Sequence, residues 1–229
     1  MDQDKFSRTQ PIPLPGRRLP RPVPPRPLYL LAGAIVLVGV LVSWWWSRAH
    51  SAPPRHPETA VFEAPLEPRL DMVDGFRSGD GQDAVRTPLE AAGLSVERRV
   101  LRRPPSERYP PRELTSLVVG GYRHLGVDGQ LTLEFFNDRL MEIDFRPDDA
   151  AVYARRLHEA MPDLKRDRVG HAELVDGDRR IWSNVDLARS RVGGSLRTDG
   201  LVIWQDLRLI RQRDDWDERF GSIPAPAER

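Results

Sequence analysis

The sequence predicts an α+β protein: a single transmembrane helix followed by a globular domain of two helix-plus-four-strand repeats that form a mostly antiparallel sheet. Three observations predict it. Leu28 to Trp46, LYLLAGAIVLVGVLVSWWW, carries no charge and is long enough to cross a bilayer as one helix. Leu131 to Phe145, LTLEFFNDRLMEIDF, alternates apolar and polar residues around an Asn-Asp turn. A helix-then-strands pattern recurs at an offset of about 70 residues, as two copies of one supersecondary unit would.

Residues 1–27 contain PIPLPGRRLPRPVPPRP. Prolines remove backbone donors and fix φ, so this stretch is expected to be a disordered, polyproline-like tail, either a spacer or a docking peptide for an aromatic-lined groove. The span 28–46 meets the roughly 20 apolar residues that a hydrocarbon core of about 30 Å requires. Tyr29 at one end and Trp44, Trp45 and Trp46 at the other suit the headgroup layers. Lys5, Arg8, Arg17, Arg18, Arg21 and Arg26 precede the span against Asp2 and Asp4, whereas only Arg48 and Arg55 follow it before Glu58. By the positive-inside bias the tail is cytoplasmic and the chain from about Ser47 onward is periplasmic, anchored in an inner membrane. A signal peptide cleaved near Ala49 to Ala52 is the competing reading. The approach is filled by tryptophan and followed by Pro53 and Pro54, which is poor cleavage context.

Lys5 and Lys165 are the only lysines, an arginine bias that fits a GC-rich bacterial genome. There is no cysteine, so disulfides, thiol nucleophiles and cysteine zinc sites are excluded. A formal net charge of +1 gives no electrostatic reason to expect a nucleic-acid partner or an acidic substrate.

Residues 47–69, with Pro53, Pro54, Pro57, Pro65 and Pro68, read as a semi-stiff linker. The domain is expected over 70–223, with repeats at about 80–146 and 147–213 and a disordered tail at 224–229. Its first helix is Gln82 to Ala92. Thr87-Pro88-Leu89-Glu90 has capping-box spacing and Gly93 can close the helix; a start at Asp80 would put Pro88 inside as a kink. Strands follow at Ser95 to Arg102 and Leu114 to Arg123, then the hairpin at 131–145. A two-residue loop there pairs Leu133 with Glu142 and puts a carboxylate opposite the core face. A three-residue loop, Asn137 to Arg139, pairs Phe135 with Met141, Leu133 with Ile143 and Leu131 with Phe145, and is the predicted register, with Asp138 or Arg139 left-handed.

The second helix is predicted over Asp148 to Met161. Asp148 is its cap, Tyr153, Leu157 and Met161 form an apolar stripe, and Pro162 stops it. Strand-like runs near Arg168 to Val175 and Arg179 to Leu187 lead to a second hairpin, Leu201 to Arg211, turning at Gln205-Asp206. Both helices are expected on one face of the sheet. This layout resembles the small helix-plus-meander modules of bacterial envelope lipoproteins and secreted inhibitor proteins, and the resemblance implies that the sheet face serves protein contacts.

Chemistry-bearing motifs are sparse. His50, His56, His124, His158 and His171 have no metal-ligand spacing, Gly193-Gly194-Ser195 lacks the nucleophile-elbow pattern, and no glycine loop opens a lysine-bearing helix. No metal, cofactor or small-molecule substrate is therefore expected. Glu134, Glu142 and Asp144 share the outer face of the hairpin, with Glu134 opposite Glu142, a pair that can raise one pKa unless Arg139 and Arg123 relieve it. Asp214, Asp215, Asp217 and Glu218 lack calcium-loop spacing. In Arg180 to Leu187 the apolar positions Ile181, Val185 and Leu187 put Trp182 on the opposite face with Arg180, Asn184 and Asp186. Trp182, Arg180 and Asn184 are thus the candidate partner-binding residues, unless Pro104 to Pro111 or a tail carrying Trp216 covers them. The expectation is a non-enzymatic adaptor or assembly protein that binds another envelope protein. A carboxylate-dependent hydrolase, or a chain whose tail docks a cytosolic module, is the alternative.

Overall fold

The computed structural model describes residues 37–40, 43, 55–187 and 199–224. Residues 37–40 and 43 are helical; the rest of the expected span, the tails 1–27 and 225–229 and the Gly193-Gly194-Ser195 turn lie outside the described residues. Among the described residues no helix is long and apolar enough to cross a membrane. The chain divides into units 1–52 and 53–229, and the fold below is that of the second.

That unit is α+β, with one eight-stranded antiparallel sheet. Its elements are α1 (Thr59–Glu63), α2 (Gln82–Ala91), β1 (Val96–Arg103), β2 (Arg112–His124), β3 (Val127–Phe136), β4 (Arg139–Pro147), α3 (Ala150–Ala160), β5 (Lys165–Arg166), β6 (Ala172–Asp176), β7 (Arg179–Ser183), β8 (Val202–Asp206) and α4 (Leu207–Phe220). The strand order is β1-β2-β3-β4-β8-β7-β6-β5. Two four-stranded meanders, each preceded by a helix, therefore meet where β4 pairs antiparallel with β8. The alternation of β3 and β4 turns Leu131, Leu133, Ile143 and Phe145 to one face, where Val85 and Leu89 of α2 and Tyr153 and Leu157 of α3 seal them into the main core with Trp204 and Ile181. A smaller cluster on the other face joins Phe136 and Met141 to Phe62, Tyr109, Leu209, Trp216 and Phe220.

The β3–β4 register joins the two alternatives weighed above. Leu131 pairs with Phe145, Leu133 with Ile143 and Glu134 with Glu142, as the three-residue loop requires, but Phe135 pairs with Leu140 and Phe136 with Arg139. The loop is thus two residues, Asn137 and Asp138, both at positive φ (49° and 59°), while Arg139 is in the strand. This two-residue turn matches strand twist, and a bulge after Glu134 restores the core face by sending Leu140 to the main core and Met141 to the smaller cluster. A uniform ladder was the wrong premise.

The helix ends also differ from expectation. α2 starts at Gln82 and holds Pro88 in its interior, so Thr87 is not its cap. Its first amide is held from afar, by Asp138 Oδ1 at 2.8 Å. Gly93, at φ 80°, closes it as predicted, its amide bonded to Glu90 O and that of Leu94 to Leu89 O. α3 is capped by Asp149 rather than Asp148: its carboxylate accepts from the amides of Ala151 and Val152 at 3.0 and 2.9 Å.

The predicted second hairpin is absent. β8 ends at Asp206, whose carboxylate accepts the Arg208 amide, and Leu207–Phe220 is helical. Leu207 and Leu209 fit a strand, but the apolar set continues at Leu209, Trp216 and Phe220, a helical spacing that reaches the smaller cluster. The second meander is instead β5 to β8, with β5 in the place of the expected last strand and β6 and β7 joined at Gly177 (φ 60°).

Candidate partner-binding face of the sheet

The face opposite α2 and α3 is divided. Over the end near the β3–β4 turn, α4 lies on the sheet: Trp216 Nε1 donates to Pro110 O at 3.2 Å, and Tyr109 meets Trp216 edge-on. The turn is pinned there too, because the Arg139 guanidinium donates to Ala64 O and Phe62 O at 2.6 and 2.5 Å and Asn137 Nδ2 donates to Phe62 O and Pro111 O. The segment 104–111 and Trp216 therefore cover the first meander, not Trp182.

Beyond that cover, two rows cross the sheet. In one, cross-strand pairing sets Val118 beside Thr132, Thr132 beside Asp144, Asp144 beside Ile203 and Ile203 beside Trp182. The other runs from Ser116 through Glu134, Glu142 and Gln205 to Arg180. All these side chains are half-buried. Trp182 stacks on His171, with ring centroids 5.5 Å apart, and Arg180 bonds Glu173 at 2.7 Å and reaches Gln205 at 3.5 Å. Asn184 is different. It is 8% exposed, and its side chain accepts the Leu201 amide at 2.7 Å while its own amide bonds Leu201 O. It holds the start of the β8 strand rather than facing outward.

Glu134 and Glu142 do stand opposite one another, but neither predicted arginine relieves them. Arg139 is buried against α1, and Arg123 makes a two-point pair with Asp128 at 2.7 and 2.8 Å. The relief comes from Ser116, whose hydroxyl lies 2.8 Å from both Glu134 oxygens, and from Gln205 Nε2, 2.5 Å from Glu142. Burial nonetheless raises the Glu134 carboxyl above its ordinary range, with Glu142 adding to the rise and Ser116 and Arg213 opposing it. Asp144 is raised further, to about 7, first by burial and then by Glu142, against Arg146. Its Oδ1 is buried without a hydrogen-bond partner.

Sequence reasoning overlooked a polar seam under α3 that is buried at His124 and Tyr153 and opens to the surface at Asp74. His124 Nδ1 lies 2.7 Å from the Tyr153 hydroxyl, its Nε2 is 3.9 Å from Asp74, and the Tyr122 hydroxyl donates to Asp74 at 2.8 Å. Burial lowers the pKa of His124, with Asp74 working against it. The signal was weak, because the partners are 29 and 50 residues away from His124 in the chain. Among the described residues no three His, Asp or Glu side chains are placed to hold a metal. Two open grooves, of about 450 and 300 Å³, flank β1 and the β3–β4 turn and do not hold the Glu134–Glu142 pair. No protein-family model and no curated protein matches the chain.

Proposed function

We propose that the chain is a single-pass inner-membrane protein, N-terminus cytoplasmic, whose periplasmic domain binds another envelope protein through the outer sheet face of the second meander, without enzymatic chemistry. The observation that carries this reading is the partly exposed Trp182 beside Ile203 and Arg180 on the outer face of the sheet. Aromatic and arginine side chains are the commonest anchors of protein interfaces. The uncharged run 28–46 supports the anchor, Pro53, Pro54 and Pro57 ahead of α1 support a short spacer, since Phe62 and the chain after it are packed into the folded unit, and the recurrence of helix and meander supports a duplicated unit.

The test is affinity purification of the full-length chain from chemically cross-linked membranes of its host. A partner that requires the folded unit from residue 55 onward, is lost with Trp182→Ala or Arg180→Glu and is kept with Val169→Ala, a change at a residue 65% exposed in the loop before β6, supports the reading. Recovery of the chain from the soluble fraction, shortened by about 50 residues, removes the anchor.

One observation favours a second reading. Glu134 and Glu142 stand opposite one another with Asp144 on the same face, and burial raises the carboxyls of Glu134 and Asp144, an arrangement that acid-base work can use. As a membrane-tethered hydrolase, the protein would lose hydrolysis of a generic ester or glycoside substrate with Asp144→Asn. Loss of partner capture alone, with no hydrolysis in the unaltered protein, returns the role to binding.

A further inference from the structure

The sheet has two unlike edges. At one, β5 is two residues long. At the other, β1 runs for eight, Val96–Arg103, and six consecutive residues, 97–102, are exposed. β1 pairs with β2 on one side and, among the described residues, has no strand on the other, so there its outward amides and carbonyls have no ladder partner. Val100 and Leu101, at its centre, are 43% and 63% exposed and point to opposite faces.

The charge of this edge narrows what can pair with it. VERRVLRR carries Arg98, Arg99, Arg102 and Arg103 against Glu97 alone. A second copy laid along β1 would bring eight arginines together against two glutamates, so net charge disfavours pairing of the edge with its own kind even where the centred antiparallel register sets Glu97 opposite Arg102. An acidic strand meets the opposite situation. Arg99 is bonded to Glu97 at 2.9 and 3.2 Å, Arg98 Nε donates to Gln82 at 3.0 Å and Arg103 to Phe220 O at 3.2 Å, while Arg98 and Arg102 share Glu113 at 3.8 and 3.5 Å; Arg102, with its side chain 69% exposed, is the guanidinium most open to a new carboxylate. Between α2 and the β1–β2 pair lies an open groove of about 450 Å³ whose lining includes Asp83, Glu113 and Asp138 as well as Arg86 and Arg98, so it adds no positive charge and the selection of carboxylates rests on the strand itself.

We propose that β1 is a strand-addition site, taking an extended acidic segment of a partner protein as a ninth strand. Main-chain hydrogen bonds supply the affinity, the guanidinium groups select carboxylate side chains, and Val100 and Leu101 become covered. This surface is separate from the Trp182 face and does not depend on it.

The probe is a fluorescein-labelled ten-residue peptide alternating Glu and Val, titrated by anisotropy into the full-length chain in detergent. A Lys-Val peptide and a Glu-Val peptide with two central prolines serve as comparisons. The Glu-Val peptide is expected to bind at least about tenfold more tightly than either, to weaken with salt, and to slow amide exchange at residues 97–102. R99E/R102E is expected to reverse the preference between the acidic and basic peptides. Should that variant fail to fold, exchange in the unaltered chain and the proline peptide decide. Equal binding of the proline peptide, binding without slowed exchange at 97–102, an unreversed preference in the folded variant, or no binding below roughly 1 mM overturns the proposal.

Discussion

The first meander runs in strands of 8, 13, 10 and 9 residues; the second runs in strands of 2, 5, 5 and 5. The first is sealed toward α2 and also carries the smaller cluster under α4 on its other face, whereas the second packs one face on the main core and leaves Trp182 and Ile203 half-exposed on the other. Longer strands present more side chains per face, so a second cover can be seated on them. The short strands of the second half give little room for one, and among the described residues their outer face keeps Trp182 and Ile203 partly exposed. One topology thus serves stability on one side of the β4–β8 seam and surface on the other.

Truncating the two tryptophans breaks this comparison most sharply. Trp216→Ala empties the smaller cluster and is expected to cost about 3–5 kcal/mol, while Trp182→Ala costs less than about 1 kcal/mol. Midpoints of urea unfolding measure both; equal costs mean that the outer face of the second meander is as packed as that of the first.

Asp206 sits where β8 hands over to α4 and ties the two halves together. Burial acts to raise its carboxyl, but hydrogen bonds from the Arg208 side chain, Ser78 and the Arg208 amide prevail and hold it below its ordinary range. Asp206→Ala is expected to cost about 2–3 kcal/mol at pH 7. A lowered carboxyl stabilises the fold above its unfolded value, near 4, and that contribution disappears as pH falls through the lower folded value. The gap between wild type and variant therefore narrows in acid.

Asp144 titrates with the opposite sign. Its carboxyl is raised to about 7, so the native state loses stability as pH climbs from about 4 to that value and no further beyond it. Asp144→Asn is expected to be more stable than wild type by about 2 kcal/mol at pH 8, after allowance for its partial exposure, and equal to it near pH 4. A urea series at the two pH values reads this directly; a variant weaker at pH 8 would mean that the carboxylate is engaged. A modest effect belongs to the turn. Asp138→Gly keeps the positive φ but removes the cap on α2, for a loss of about 1 kcal/mol in thermal unfolding.

Local pattern made much of this fold legible. The Leu131–Phe145, Leu133–Ile143 and Glu134–Glu142 pairs follow from alternation, α2 spans nearly the predicted residues, and the Tyr153–Leu157 stripe lies in the core. What escaped were effects carried by distant partners. Asp138 caps a helix 56 residues upstream, a bulge reconciles a two-residue turn with the buried face, and Trp216 and Phe220 turn an apparent strand into α4. In the candidate site, alternation correctly separated Trp182 from Ile181, but it assigned Asn184 to the same face as Trp182 because it extended the strand past Ser183. Where the strand ends, period-two bookkeeping ends with it.

The most direct measurement of the central claim is photo-cross-linking in intact host cells. A benzophenone amino acid is placed at position 182, on the outer sheet face, or at 159, on the exposed side of α3. A heavier adduct at 182 and none at 159 is the predicted result. An adduct at 159 with none at 182 would contradict the account.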